Sequence, residues 1–352
     1  MGSRQLSATA QIETARKPDI LRIVGYGLSL VCLVWVFRDF HLRQTLDEFS
    51  NVSWKWVFLG MLFDVLSYFV QGLRWKFLLT PFGRVRFVSS TRAVFAGLFA
   101  NLAFPLRPGE LLRSVLLSNW EDIKLGKVLG SVGVERLVDL VIATATLAVA
   151  SLFVPLPRRL KSIADGLGIA ALVLLAIVIG IVLYLELKLG SDPEGACEAQ
   201  DATSKQRLLS PWMRALVGLH SMGTAPSFYP AVLFSLLMPF CQVLALWSLT
   251  KAYQLPLPFL AVAVVLLVIN LGISLPNAPA NVGSYQFFCV LGLSIFDVEK
   301  QTAAGFSIFA FLALTLPFVF LGFAATLKSG LSIRNLRQEV KDLPSQPHKH
   351  PA

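Results

Sequence analysis

The chain has 352 residues, of which 55% are hydrophobic and only 15% charged, and its formal net charge is +10. Soluble domains contain about 45–50% apolar and about 25% charged residues, so this composition argues against a soluble protein. Its apolar runs of about 20 residues have the length that crosses a bilayer as a helix, and the weak alternation of a membrane β-barrel is absent. We predict an all-α, polytopic helical membrane protein with about six full spans and two re-entrant helical hairpins.

The basic charge and the scattered cysteines and histidines limit the other function classes. An excess of Lys and Arg is typical of cytoplasmic loops, and the chain lacks the basic soluble domain that nucleic-acid binding requires. The four cysteines and four histidines have no metal-ligand spacing, so we expect neither a metal nor another cofactor. No Gly-x-Ser-x-Gly nucleophile and no P-loop occurs, which makes an enzyme the less favoured hypothesis.

The first two apolar runs predict two full spans. Ile20–Phe37 follows a basic segment and is expected to start in the cytoplasm. Trp54–Leu79 contains Asp64 near mid-depth, where a carboxyl group is expected to face protein rather than lipid. Arg74 and Lys76 lie near the end of this run, and we expect both side chains to extend to the cytoplasmic interface.

A break rich in proline and glycine divides the next apolar stretch. Phe87–Phe104 stops at Pro105, and a short helix, Glu110–Trp120, can begin after Pro108 and Gly109. Backbone that is broken inside a membrane must be covered by protein or line a wet cavity. We therefore predict a re-entrant hairpin that opens to the cytoplasm and has a polar site at its tip.

The next span, Leu125–Val154, has charged residues in its interior. Asp139 follows Glu135 by four residues and Arg136 by three, so the three side chains are neighbours on one helix. Their opposite charges can compensate one another. Small residues along the same helix predict a close helix neighbour; they are Gly126, Gly130 and Gly133.

The second half of the chain contains a second break of the same kind, in which a helix is followed by Pro-x-x-Pro, a glycine and a short helix. Short, broken segments at corresponding places in two halves indicate the binding site of a transporter. The two hairpins are predicted to open to opposite sides. The predicted elements are the spans Ile163–Leu187, Phe228–Thr250 and Thr302–Leu327, the polar loop 188–225, and the hairpin helices Leu257–Leu275 and Phe287–Phe296.

These elements predict one membrane domain, 20–327, between a cytoplasmic N-terminal segment, 1–19, and a cytoplasmic tail, 328–352. We expect a multi-pass protein of the cell (inner) membrane with both termini in the cytoplasm, because basic residues flank these ends.

The residues around the two breaks resemble the lysylphosphatidylglycerol synthase transmembrane region, also described as the flippase-like or UPF0104 family. The resemblance rests on segments 97–101, 105–113, 131–139 and 275–286, and it covers Ile20–Leu327. It departs from the family pattern at Ala280, where relatives often have Gly, and at Gln286, where many have Glu.

The resemblance implies a membrane domain that moves or presents lipids across a bilayer. In multiple peptide resistance factors, a similar domain precedes a soluble aminoacyl-lipid synthase domain. We do not expect the synthase activity here, because the chain has no room for that domain after Leu327.

Candidate headgroup-binding residues come from both breaks and from the charged span. Arginines can bind a lipid phosphate through their guanidinium forks; the candidates are Arg107, Arg113 and Arg136. Alternatively, these arginines serve only to hold helices together, through ion pairs with Glu110, Glu135 and Asp139. Neutral groups can offer hydrogen bonds from the opposite side, or can only satisfy the broken backbone; they are Asn277, Asn281, Ser284 and Gln286. The residues expected to form the hairpin turns are Pro105, Pro108, Gly109, Pro276, Pro279 and Gly283.

Three hypotheses remain open at this point. The leading one is translocation or presentation of an anionic, aminoacyl or polyprenyl-linked glycosyl lipid. The second is a membrane-embedded, lipid-linked transferase with Glu110 or Glu135 as its base. The third is an accessory subunit that positions a separate synthase.

Overall fold

The described part of the protein is entirely helical. The computed structural model describes residues 20–38, 45, 48–104, 108–153, 166, 180, 226–274 and 278–328. The predicted loop 188–225, both terminal segments and most of the predicted span Ile163–Leu187 lie outside these residues. The helices are α1 (Ile20–Phe37), α2 (Trp54–Leu79), α3 (Phe87–Ala103), α4 (Gly109–Glu121), α5 (Leu125–Phe153), α6 (Phe228–Ala252), α7 (Phe259–Ile273), α8 (Ser284–Ser294) and α9 (Lys300–Lys328).

Four of the described helices, α2, α5, α6 and α9, are long and apolar enough to cross a membrane. The helices α3 and α7 are also apolar but contain only 17 and 15 residues. A span needs about 20 residues, so these two helices do not cross the bilayer unaided. The helix bounds differ from the predicted ones by three residues or fewer, and the all-helical membrane fold is confirmed.

The helices α2 and α6 form an antiparallel pair at the centre of the bundle. At one end, the Ser53 N–H donates to the Ala252 carbonyl oxygen (3.1 Å); at the other end, Leu78 packs with Ala231. Between these ends, a Cβ atom added to Gly60 would lie 3.0 Å from a backbone oxygen of α6. The absent side chain therefore lets the two helices approach closely.

The helices α3 and α4 form the first hairpin. Arg86, just before α3, pairs with Glu121 at the end of α4 (Nε to Oε1, 3.1 Å). The start of α3 and the end of α4 therefore lie at the same side of the bundle. At the tip, the Asn101 side-chain oxygen accepts a hydrogen bond from the Gly109 N–H (2.8 Å). The predicted helical hairpin is present, although Pro105 and Arg107 lie outside the described residues.

The helices α7 and α8 form the second hairpin, in which Gly292 of α8 packs directly against Val265 of α7. The helix α8 begins at Ser284, three residues before the predicted start. The reason is local: Gly283 has φ 89°, and its N–H donates to the Gln286 side-chain oxygen (2.7 Å). This bond satisfies one of the free N–H groups of the helix N-terminus.

The two hairpins open at opposite ends of the bundle. The first follows the C-terminal end of α2, and the second follows the C-terminal end of α6, which runs antiparallel to α2. Their tips therefore point towards each other. The turn Pro279–Asn281 contacts α3, and the Ala278 N–H donates to the Ser29 hydroxyl of α1 (3.1 Å).

Candidate functional site

The tip of the first hairpin lies beside a buried group of charges. Arg113 of α4 donates from Nη2 to Oε2 of Glu135 in α5 (2.5 Å). Arg74 of α2 approaches the other oxygen of Glu135 (Nη2 to Oε1, 3.4 Å). The side chains of these three residues are at most 4% exposed. Two cations from different helices therefore hold one buried carboxylate.

The charges continue from this buried group to the surface of α4 and α5. Arg74 donates from Nη1 to Oδ1 of Asp139 (2.5 Å). Asp139 lies 3.6 Å from Nη1 of Arg136, and Nη2 of Arg136 donates to Oε1 of Glu110 (2.5 Å). We call these six residues the charge ladder: Arg113, Glu135, Arg74, Asp139, Arg136 and Glu110, in order of contact. Three positive and three negative groups alternate along it.

The outer part of the charge ladder is accessible at a depth where lipid tails are expected. The Arg136 side chain is 52% exposed, and those of Glu110 and Asp139 are 37% and 32% exposed. Arg136 lies about 16 Å from the first residue of α5, at 1.5 Å per helical residue. That distance is about half of a hydrocarbon core that is about 30 Å thick. Charges at this depth normally face protein or a water-filled cavity.

Aromatic and hydroxyl groups hold the inner end of the charge ladder in place. The Arg113 guanidinium lies over the Trp75 ring, 4.6 Å from its centroid, and the Trp75 indole N–H donates to the Ser131 hydroxyl (2.9 Å). Nε and Nη1 of Arg113 are buried and have no hydrogen-bond acceptor among the described residues. The contact with Trp75 therefore holds these two N–H donors in position, while no described residue accepts a hydrogen bond from them.

The structure corrects the prediction for Arg74. Its side chain is fully buried and paired with Glu135 and Asp139, so it does not extend to the interface. A sequence signal was present: Asp64, Ser67, Gln71 and Arg74 follow one another at spacings of three or four residues, which puts them on one helix face. All four are buried.

The predicted glycine contact also lies elsewhere. Nothing lies within 4 Å of a Cβ atom added to Gly126 or Gly133, so the expectation that these glycines admit a close helix neighbour is wrong for both. The close approach is between Gly97 of α3 and Gly109 of α4, where an added Cβ would collide with the backbone of the other helix.

The predicted residues of the second hairpin do not join the charge ladder. Ser284 and Gln286 are buried in α8, and the Gln286 oxygen caps that helix. The Asn281 side-chain oxygen is buried and accepts no hydrogen bond from a described residue. Asn277 and Pro276, like Pro105 and Arg107, fall outside the described residues. In the part of the chain that is described, no group of three or more His, Cys, Asp or Glu residues is arranged to hold a metal.

The sequence matches the lysylphosphatidylglycerol synthase TM region family over residues 22–322. This match includes both hairpins and all six residues of the charge ladder. The chain belongs to the lysylphosphatidylglycerol synthase TM region family. Its membership of this family and its long apolar helices show that the protein is a multi-pass membrane protein.

Two UPF0104 membrane proteins are similar to the chain over most of their length. A UPF0104 membrane protein of Methanocaldococcus jannaschii is 22% identical over 325 residues, which are 88% of this chain and 94% of the relative. A UPF0104 membrane protein of Methanothermobacter thermautotrophicus is 25% identical over 266 residues, 74% of this chain and 78% of the relative. No solved structure matches the chain significantly.

Proposed function

We propose that this protein of the lysylphosphatidylglycerol synthase TM region family translocates or presents a lipid with a charged headgroup across the bilayer. The supporting observation is the exposed outer part of the charge ladder. Arg136 and Glu110 lie on α5 and α4 at bilayer depth and are 52% and 37% exposed. A headgroup can reach them from the side while its acyl chains stay among the surrounding lipids.

Exchange of ion-pair partners is the proposed chemistry. A lipid phosphate replaces Glu110 on the Arg136 guanidinium, because phosphate oxygens match the guanidinium fork. The two unused donors of Arg113 then offer a second pair of hydrogen bonds further inside. The ammonium group of an aminoacyl headgroup forms an ion pair with the carboxylate of Glu110 or Asp139. The candidate substrates are therefore an anionic phospholipid, an aminoacyl lipid and a polyprenyl-linked glycolipid.

The opposed hairpins support a route for the headgroup. Each hairpin opens at one end of the bundle, and the turn Pro279–Asn281 of the second contacts α3 of the first. Irregular backbone at membrane depth is stable where it lines a polar space. We propose that the headgroup passes between the two tips, where the Asn281 side-chain oxygen, which accepts no hydrogen bond from a described residue, can bind it.

The basic end of the bundle supports an orientation. Arg84, Arg86 and Lys124 are exposed around the open end of the first hairpin, and basic loops stay in the cytoplasm. We propose that this end is cytoplasmic, that the protein lies in the cell (inner) membrane with both termini inside, and that a separate synthase supplies the lipid.

Lipid movement in liposomes tests the proposal. Purified protein is reconstituted with fluorescent phosphatidylglycerol, lysylphosphatidylglycerol or a polyprenyl-phosphate sugar, and the label that a membrane-impermeant quencher reaches is followed over time. We expect one class to move. Arg136→Gln should slow this movement about tenfold or more, because a hydrogen bond to a charged group contributes about 1.5–3 kcal/mol. Arg86→Gln, which removes an exposed arginine outside the charge ladder, should have no effect.

A double variant separates headgroup binding from helix packing. Glu110→Gln with Arg136→Gln removes both charges and keeps hydrogen-bonding groups at both positions. A folded double variant with the wild-type rate would mean that this pair only joins α4 to α5. A folded wild-type protein that moves none of the three lipids would overturn translocation and favour the transferase or accessory hypothesis.

A further inference from the structure

A second buried acid lies in α2, outside the charge ladder. Asp64 is 6% exposed and precedes Arg74 by ten residues, about 15 Å along the helix axis. Among the described residues, its carboxyl group forms no ion pair and receives no hydrogen bond. The Ser67 hydroxyl donates to the backbone oxygen of Asp64 (2.7 Å) and not to its carboxyl group.

No cationic partner of Asp64 occurs among the described residues. Tyr285 of α8 interacts electrostatically with Asp64, and also with Tyr68 and Cys289. Tyrosine and cysteine side chains are ordinarily neutral at pH 7. The Tyr285 hydroxyl is buried and has no hydrogen-bond partner in the described ranges. The helices packed on α2 also carry titratable residues. They are Arg92 in α3, Lys127 and three charge-ladder residues in α5, Tyr229, Cys241 and Lys251 in α6, and Lys300 at the start of α9.

The two buried acids therefore have opposite surroundings. Glu135 lies between two guanidinium groups, which stabilise a carboxylate. Asp64 has no such partner among the described residues, and a lone ionised carboxylate in an apolar interior is so costly that the neutral acid forms instead. Ionisable groups in this position commonly mark proton pathways.

The polar face of α2 connects Asp64 with the charge ladder. Ser67 and Gln71 lie between Asp64 and Arg74 on this face, and both are buried. These residues form a polar stripe from Asp64 to Arg74, which belongs to the charge ladder. The loss of a proton from Asp64 therefore adds a negative charge at the far end of this stripe.

We propose that Asp64 binds and releases a proton and that lipid movement by this protein is coupled to a proton gradient. The coupling rests on the proposed lipid movement, whereas proton binding by Asp64 does not.

Infrared spectroscopy tests proton binding without lipid transport. The protein is measured in dodecyl maltoside, which has no ester carbonyl, while the pH is raised. We expect the carbonyl band of a protonated carboxylic acid at pH 7 in the wild type and in Glu135→Gln, and its loss in Asp64→Asn. A wild-type spectrum without this band, or a band that persists in Asp64→Asn, overturns the assignment of the proton to Asp64.

Transport under a pH gradient tests the coupling, with each of the three labelled lipids named above. We expect the wild type to accumulate label in one leaflet, up to about tenfold per pH unit for one proton per lipid. Asp64→Asn should lose the accumulation, and the control variant Ser235→Ala in α6 should keep it, because this buried hydroxyl lies outside the polar stripe and donates to the Ala231 carbonyl oxygen of its own helix. Equal distribution by the wild type under the gradient overturns the coupling; absence of all lipid movement instead overturns the proposed function, and the infrared result stands separately.

Discussion

The Arg74 guanidinium of α2 donates a 2.5 Å hydrogen bond to the Asp139 carboxylate of α5, across 65 residues of sequence. Arg74 also approaches Glu135, which Arg113 of α4 holds from the other side. Three helices therefore meet through buried charges, and the loss of one charge leaves its partners unpaired in the interior.

Replacement of Arg74 should destabilise the protein far more than replacement of Lys76. Arg74→Ala leaves the buried Glu135 carboxylate with one of its two cations, and breaking a buried ion pair costs about 3–5 kcal/mol. The Lys76 ammonium lies over the Phe77 ring (5.5 Å) and forms no ion pair with a described residue, so Lys76→Ala should change the free energy of unfolding by about 0.5 kcal/mol or less. Reversible unfolding in detergent micelles measures both. Equal losses would show that Arg74 does not act through its buried pairs.

Arg113 and Glu135 should show strong coupling in a double-mutant cycle. Arg113→Met and Glu135→Leu should each cost about 3–5 kcal/mol, because each leaves an unpaired buried charge. The double variant should be more stable than either single variant, since it buries no uncompensated charge at this contact. The same cycle on Arg86 and Glu121, whose side chains are 74% and 6% exposed, should give a smaller coupling energy, because water screens the exposed guanidinium. Additive effects at Arg113 and Glu135 would contradict the ion pair.

The contact between Gly97 and Gly109 should tolerate no side chain. A Cβ atom at Gly97 would lie 2.6 Å from the Gly109 carbonyl oxygen and 3.1 Å from the Arg113 Cβ. Gly97→Ala should therefore cost about 1–3 kcal/mol through overpacking and should displace Arg113. Gly133→Ala is the matched control, because an added Cβ meets nothing within 4 Å; it should stabilise the helix by up to about 1 kcal/mol. Thermal unfolding of both variants decides between these outcomes.

The turn of the second hairpin should respond in opposite directions to two substitutions. Gly283 has φ 89°, and its missing Cβ leaves space for the Ser29 carbonyl oxygen, so Gly283→Ala should destabilise by more than about 1 kcal/mol. Ala280 has φ 57°, which costs an alanine about 1–2 kcal/mol. Ala280→Gly should stabilise by up to about 1 kcal/mol, since the greater freedom of glycine in the unfolded chain offsets part of the gain. An unchanged melting temperature for Gly283→Ala would contradict the described turn.

Local signals account for the parts of the fold that the sequence predicted. Prolines that occur together with a glycine favour the end of a helix, so the breaks after α3 and α7 could be located from Pro105, Pro108 and Pro276, whereas the single prolines Pro239 and Pro317 lie inside α6 and α9. Helical spacing brought Glu135, Arg136 and Asp139 together, and the structure has all three in the charge ladder. The departure at Ala280 also has a structural basis, because its left-handed conformation favours the glycine expected there.

Long-range contacts account for what the sequence did not predict. Arg74 was assigned to the interface because Lys76 follows it closely, whereas its true partners lie more than 60 residues later, in α5. The bond from Gly109 to Asn101 and the capping role of Gln286 depend on backbone geometry at a turn. A residue type alone does not reveal whether an amide contacts a ligand or closes its own helix.

The equal number of cations and acids in the charge ladder has an electrical consequence. A displacement of one elementary charge through a membrane potential of 100 mV changes the free energy by about 2.3 kcal/mol. The three guanidinium and three carboxylate groups cancel this contribution when they move together. A conformational change that carries the whole ladder is therefore insensitive to voltage, and any voltage dependence of the proposed lipid movement reports the charge of the lipid headgroup and of a proton that moves with it.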